Sequence, residues 1–157
     1  MNSFNQRCGM EKNQDVFSSV TKITVRYADT DMMGIAHHSN YPIWFEAGRT
    51  DFIKRLGYSY SRIEKEGAYL PLTDLSCSFK RPALYEDELA IHTKLALLTY
   101  VRVIFSYDVL DASGTLLATG KTHHAWTNTD LKPINIAKKM PVVYEALLGC
   151  LDGKKDL

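Results

Sequence analysis

Residues 26–49 read RYADTDMMGIAHHSNYPIWFEAGR, and the second half of that stretch decides the fold. From Tyr41 onward, YPIWFEAGRTDFIKRL places Tyr41, Phe45, Gly48, Phe52 and Leu56 on one helical stripe, with Ile43 and Ala47 opposite. Helical residues three and four apart share a face, so apolar residues on several faces predict a helix covered on most sides by other structure. Ser39 or Asn40 is placed to cap it, Pro42 suits its first turn, and Gly57 supplies its stop near Leu56.

The flanks alternate instead. KITVRYA sets Ile23, Val25 and Tyr27 against Lys22, Thr24 and Arg26, a half-buried strand. After a short polar segment, LSCSFKR, ELAIHTKLAL and VRVIFSYDVL each repeat every second residue, DASG at 111–114 signals a hairpin turn, and TLLATGKTHHAWT reads as a last long strand. A brief helix is expected over Pro141–Leu148, ending at Gly149. One strand, one long enclosed helix and four further strands predict an α+β architecture: a five-stranded antiparallel sheet curved around the helix, with the last strands neighbours. A single sheet leaves an open edge, which predicts edge-to-edge association.

Composition narrows the function classes. The chain has 157 residues, 45% apolar and 24% charged, with a net charge of +1. That suits one domain, expected over residues 21–150 behind a polar leader of residues 1–20 that is read as loose. The charge balance argues against a nucleic-acid partner, and no run approaches the ~18 apolar residues of a membrane span. MNSFNQRCGMEKNQDVFSS lacks the apolar middle of a signal peptide, so a cytoplasmic location is expected. Cys8, Cys77 and Cys150 show no CxxC spacing, and Cys77 reads as a small buried hydrophobe.

Two acids, two adjacent histidines and a glycine crowd into the loop before the helix. The pattern Y-x-x-x-D-x-x-G-I-x-H-H-S-N-Y-x-x-W-F-E-x-x-R, Tyr27 to Arg49, resembles the signature of the 4-hydroxybenzoyl-CoA thioesterase family. More narrowly it is similar to the Tol–Pal-associated bacterial acyl-CoA thioesterases. The resemblance covers about residues 20 to 145 and implies a hot-dog fold, in which a curved sheet wraps a long helix. It implies hydrolysis of an acyl-CoA substrate without cofactor or metal, in a homodimer or homotetramer with the site at a subunit interface. Asp31 matches the family's catalytic carboxylate, Tyr27 and His38 match the tyrosine and histidine of the Tyr-Asp-His arrangement, and Gly34 matches the loop glycine. The backbone N–H near His38, at the helix entrance, matches the group that polarises the thioester carbonyl. Ser39, Asn40 and Tyr41 follow it as expected substrate contacts.

The chemistry is coherent on its own terms. Aspartate side chains are ordinarily ionised at neutral pH, so such a group attacks or deprotonates water without a partner base. A helix N-terminus offers unpaired N–H groups and a positive dipole end to a developing oxyanion. A thiolate leaves readily, so no strong general acid is needed. The competing reading of Asp31 is an Asx-turn residue that accepts loop N–H bonds. Asp29 reads as a turn residue and His37 as structural or solvent-facing. Metal binding by Asp29, Asp31, His37 and His38, or by His123 and His124, is disfavoured because adjacent strand residues face opposite ways and no HExxH spacing occurs. Lys80, Arg81, Arg102 and Lys121 are basic residues that could meet CoA phosphates, but strand-face charges are ordinarily only solvated, and none is assigned. A hot-dog enoyl-CoA hydratase or dehydratase and a non-catalytic acyl-CoA-binding protein remain the alternatives.

Overall fold

A computed structural model describes residues 16–151. Five strands, β1 (Ser18–Thr24), β2 (Leu72–Phe79), β3 (Glu88–Leu98), β4 (Arg102–Leu110) and β5 (Leu116–Ala125), form one antiparallel sheet. Its spatial order is β1-β3-β4-β5-β2. The helix α1 (Asn40–Arg55) packs along one face. Short helices α2 (Tyr60–Lys65), α3 (Ile136–Lys139) and α4 (Pro141–Leu148) complete the α+β fold.

Hairpin connections make β3, β4 and β5 neighbours, as their spacing predicts. β2 does not join β3. It pairs with β5 at the far edge, because the chain has crossed the sheet along α1 and α2 before it returns. Strand β1 begins at Ser18, inside the stretch read as leader, and the Phe17 ring meets Phe52 edge-on at 5.0 Å. The chain leaves the strand at Thr24, so Tyr27 starts a 3₁₀ turn and does not continue a strand face. Residues 1–15 of the expected leader lie outside the described residues.

The core sits between α1 and the inner face of the sheet. Trp44, Phe45, Phe52 and Ile53 descend from α1 onto Leu89, Ile91, Val103, Phe105, Tyr107 and Val109. Phe45 stacks on Tyr107 with ring centroids 4.4 Å apart and planes at 12°. The opposite side of α1 is bare: Ile43 is 62% exposed, and it borders a shallow groove with Glu46, Ala47, Thr50 and Asp51. The expectation of cover on most sides is therefore corrected within one chain, where a single sheet reaches only one side of a helix.

Two inward positions set tight tolerances. Gly120 of β5 lies directly beneath the Phe45 ring, and a Cβ there would overlap its Cε2 and Cζ atoms. Phe45 is fully buried and cannot swing aside. Gly120→Ala is expected to cost about 2 kcal/mol through overpacking, lowering the melting temperature by about 6 °C. Gly149→Ala, where a Cβ would meet only carbonyl oxygens at 3.6 Å, is the control, expected to leave thermal melting unchanged. His124 points inward four residues beyond Gly120 on the same strand, while His123 points out, as adjacent strand residues must. The His124 Nδ1 lies 3.2 Å from the Leu70 carbonyl oxygen, which makes Nδ1 the protonated nitrogen. Burial, aided by the charge on Arg49, pushes its pKa from 6.5 down to about 4.

Candidate active site

The loop between β1 and α1 is anchored by Asp29. Its buried carboxylate accepts from the Arg26 Nη2 at 2.7 Å, Nε at 3.2 Å and backbone N–H at 2.9 Å. The guanidinium holds that carboxyl below its ordinary pKa. The Asp29 carbonyl then receives the His37 N–H at 2.7 Å and the Asn40 side-chain amide at 2.8 Å. One acid thus ties both ends of the loop together.

Between these posts the chain makes a tight turn at Asp31. The Gly34 N–H donates to the Asp31 carbonyl at 2.9 Å, and the Asp31 N–H donates to the Ile35 carbonyl at 2.9 Å. Gly34 sits at φ +76°, a left-handed conformation that costs glycine nothing. The Asp31 Oδ1 accepts the Met33 N–H at 2.8 Å, so the Asx-turn reading of Asp31 is realised. Its Oδ2 has no hydrogen-bond partner among the described residues.

The helix entrance departs from expectation. Neither Ser39 nor Asn40 caps α1 with its side chain. Ser39 already has helical backbone angles, and its Oγ bonds the His37 Nδ1 at 2.8 Å. The Asn40 amide reaches back to the Asp29 and His37 carbonyls at 2.8 and 3.0 Å. The free N–H groups expected there are mostly engaged: Ser39 N–H goes to His37 Nδ1, Asn40 N–H to the His37 carbonyl, and Tyr41 N–H to the His38 carbonyl. The His38 N–H has no acceptor among the described residues. The expected set of several free donors at the helix entrance is thereby reduced.

These groups border a cleft of about 390 Å³ lined by Asp31, Met33, Ile35, Ala36, His38 and Tyr41 on the loop side. The other wall is Phe79 to Pro82, from the end of β2. The buried Tyr41 ring is clamped between Trp44, at 4.7 Å, and Phe79, at 4.9 Å, and burial raises its phenol pKa. The exposed His38 ring lies tilted by 34° against the His37 ring, with centroids 4.0 Å apart. Asp31, His38 and Tyr41 are therefore brought together, while Gly34, Ser39 and Asn40 shape the loop without lining the cleft. Tyr27 is not brought in. It is 78% exposed, its ring rests edge-on against Tyr85, and it does not line the cleft. The β2 wall has no local signal in the sequence, because it comes from a segment far along the chain. Among the described residues no three His, Cys, Asp or Glu side chains cluster as metal ligands.

Asn40 is the hinge pin of this arrangement. Asn40→Ala removes two hydrogen bonds to loop carbonyls and is expected to lower stability by about 1–2 kcal/mol. Because those bonds hold the helix entrance against the loop, kcat should fall about tenfold. A melt and a rate measurement check both, and unchanged kcat would show that the loop holds without it.

Residues 25–147 match the thioesterase-like superfamily. A Bacillus subtilis (strain 168) protein, YneP, provisionally named an acyl-CoA thioesterase, is 36% identical over 124 residues, covering 78% of this chain and 90% of its own. The Escherichia coli O157:H7 acyl-CoA thioester hydrolase YbgC is 25% identical over 95 residues, covering 60% and 71%. Among solved structures, a DHNA-CoA thioesterase from Staphylococcus aureus superposes with a TM-score of 0.79 at 36% identity, covering 82% of this chain and 87% of that one. With its five-stranded antiparallel sheet packed on one long helix, the chain belongs to the thioesterase-like superfamily of hot-dog folds.

Proposed function

We propose that the chain hydrolyses an acyl-CoA thioester to the free acid and CoA, with Asp31 as nucleophile or general base. The observation that carries this reading is that one cleft is lined both by Asp31, whose Oδ2 has no partner among the described residues, and by His38, whose N–H at the helix entrance has no acceptor among them. Membership in a family of thioester hydrolases supports it, as do the names of YneP and YbgC. The thioester carbonyl oxygen accepts from the His38 N–H. The Asp31 Oδ2 then either bonds to the carbonyl carbon or takes a proton from a water that does so. The C–S bond breaks, the electron pair leaves on the thiolate, and an anhydride formed by the first route is opened by water. The His38 ring borders the same space and orients the water or the thioester.

Tyr27 enters this scheme only across an interface, since a single chain leaves it in solvent. The open edge of β2 and the bare Ile43 side of α1 support a homodimer or homotetramer, in keeping with the Tol–Pal-like branch. The cytoplasm is the proposed location. The free thiols of Cys77 and Cys150 suit a reducing compartment, and no helix among the described residues is long and apolar enough to cross a membrane.

A panel of short, long and aromatic acyl-CoAs, followed with a thiol reagent, tests the reading. The two rings of Tyr41 and Phe79, with Met33, Ile35 and Pro82, suit a flat apolar acyl group, so aromatic thioesters are expected to turn over fastest. Release of no CoA from any member would defeat the proposal. Accumulation of a 3-hydroxyacyl product from a 2-enoyl-CoA would replace it with hydratase chemistry, and tight CoA binding without turnover would replace it with a binding role.

A further inference from the structure

We propose that Lys80 and Arg81 form a phosphate-binding subsite that receives the anionic half of the CoA carrier. The inference rests on the acyl-CoA reading of the adjoining cleft and says which residues hold the end of the substrate that does not react. Successive side chains of a regular strand point to opposite faces, so a Lys-Arg pair that continued β2 would be split across the sheet. It is not split. The backbone N–H groups of Lys80 and Arg81 both donate to the Leu117 carbonyl, at 2.8 and 3.0 Å. Two residues facing one on the neighbouring strand is the hydrogen-bond pattern of a β-bulge, which re-aims side chains. Here both residues line the same cleft wall.

The bulge is also tied to the loop that carries Asp31. The Ala83 carbonyl accepts the Ala36 N–H at 2.8 Å, and Leu84 bridges Ile35. The backbone next to the two cations is therefore tied to the loop that carries Asp31. Both are exposed, and neither makes an ion pair with any described carboxylate. The other charged or titratable lining residues are Asp31, His38 and the Tyr41 phenol, so Lys80 and Arg81 supply the only fixed positive charge on the wall. A cleft of about 390 Å³ accommodates an acyl group and the thioester but not the nucleotide. The carrier must run out over a rim, and this rim bears two unpaired cations. Guanidinium and ammonium groups are the side chains that recognise phosphate.

The experiment compares two thioesters of one acyl group, acyl-CoA and acyl-pantetheine, the second lacking every phosphate. In the double variant Lys80→Ala, Arg81→Ala, the KM for acyl-CoA should rise about five- to tenfold while kcat is unchanged. The KM for acyl-pantetheine should not move, and Lys80→Arg, Arg81→Lys should restore the wild-type values. Equal effects on the two thioesters, or no effect on either, would overturn the proposal without touching the thioesterase reading. Free CoA and free pantetheine, titrated calorimetrically into the wild type and the variant, give an answer independent of turnover. Wild-type preference for CoA that disappears in the variant supports the subsite even if no thioester is cleaved, and its absence in the wild type rejects it.

Discussion

Asp31→Asn is expected to lower kcat about 10³-fold, which corresponds to roughly 4 kcal/mol of lost transition-state stabilisation. The protein should stay folded, because asparagine keeps an Oδ1 that can accept the Met33 N–H, and the turn closed by Gly34 depends on backbone atoms alone. The amide nitrogen that replaces Oδ2 can neither attack a carbonyl nor take a proton from water. Thermal melting and circular dichroism establish the fold, and CoA release from the best acyl-CoA of the panel gives the rate. Near-normal turnover in a folded Asp31→Asn protein would remove Asp31 from the chemistry and leave it a turn residue. The pair of acids in this loop sharpens the contrast: Asp29 spends both oxygens on Arg26, whereas Asp31 keeps one free.

Stability should fall by about 3 kcal/mol between pH 6.5 and pH 4 on account of His124 alone. In the unfolded chain the imidazole gains a proton near pH 6.5, whereas in the folded protein burial delays that gain to about pH 4. Between those values the unfolded state binds the extra proton, so stability decreases as pH falls through the window and is fully present above it. A drop from 6.5 to about 4, at about 1.4 kcal/mol per pH unit, sets the size of the effect. The structural cause is local: His124 is 2% exposed, its Nδ1 is committed to the Leu70 carbonyl, and Arg49 adds an unfavourable positive charge nearby. Urea midpoints measured every half pH unit, for the wild type and for His124→Gln, separate this residue from the other histidines. The variant should lose most of the slope between pH 6.5 and 4, and an unchanged slope would assign it elsewhere.

Much of this molecule is legible before it folds. The period of its apolar residues places α1 and the strands within a few residues, and DASG forms its predicted turn, with Asp111 Oδ1 accepting the Ser113 and Thr115 N–H groups at 2.9 Å. The helices α2 and α3 are missed because six- and four-residue segments are too short to show a helical period. In the site, the acid, the glycine and the histidine pair are visible as a motif. The wall opposite them is not, since Phe79 to Pro82 meets Asp31 only after the chain has passed along α1 and α2.

By itself the sequence determined α1, α4 and the five strands, the DASG turn, and which loop gathers the acids, the glycine and the histidine pair. Those are properties of neighbouring residues: side-chain period, glycine conformation and turn chemistry act over a few positions. Only the tertiary structure decided that β2 lies beside β5, that the His38 N–H is left without an acceptor among the described residues, that Tyr27 stays in solvent, and that a bulge places Lys80 and Arg81 on the cleft wall. Each of these depends on which distant groups compete for the same hydrogen bond or the same face, and that competition is settled only once the sheet and helix are packed together.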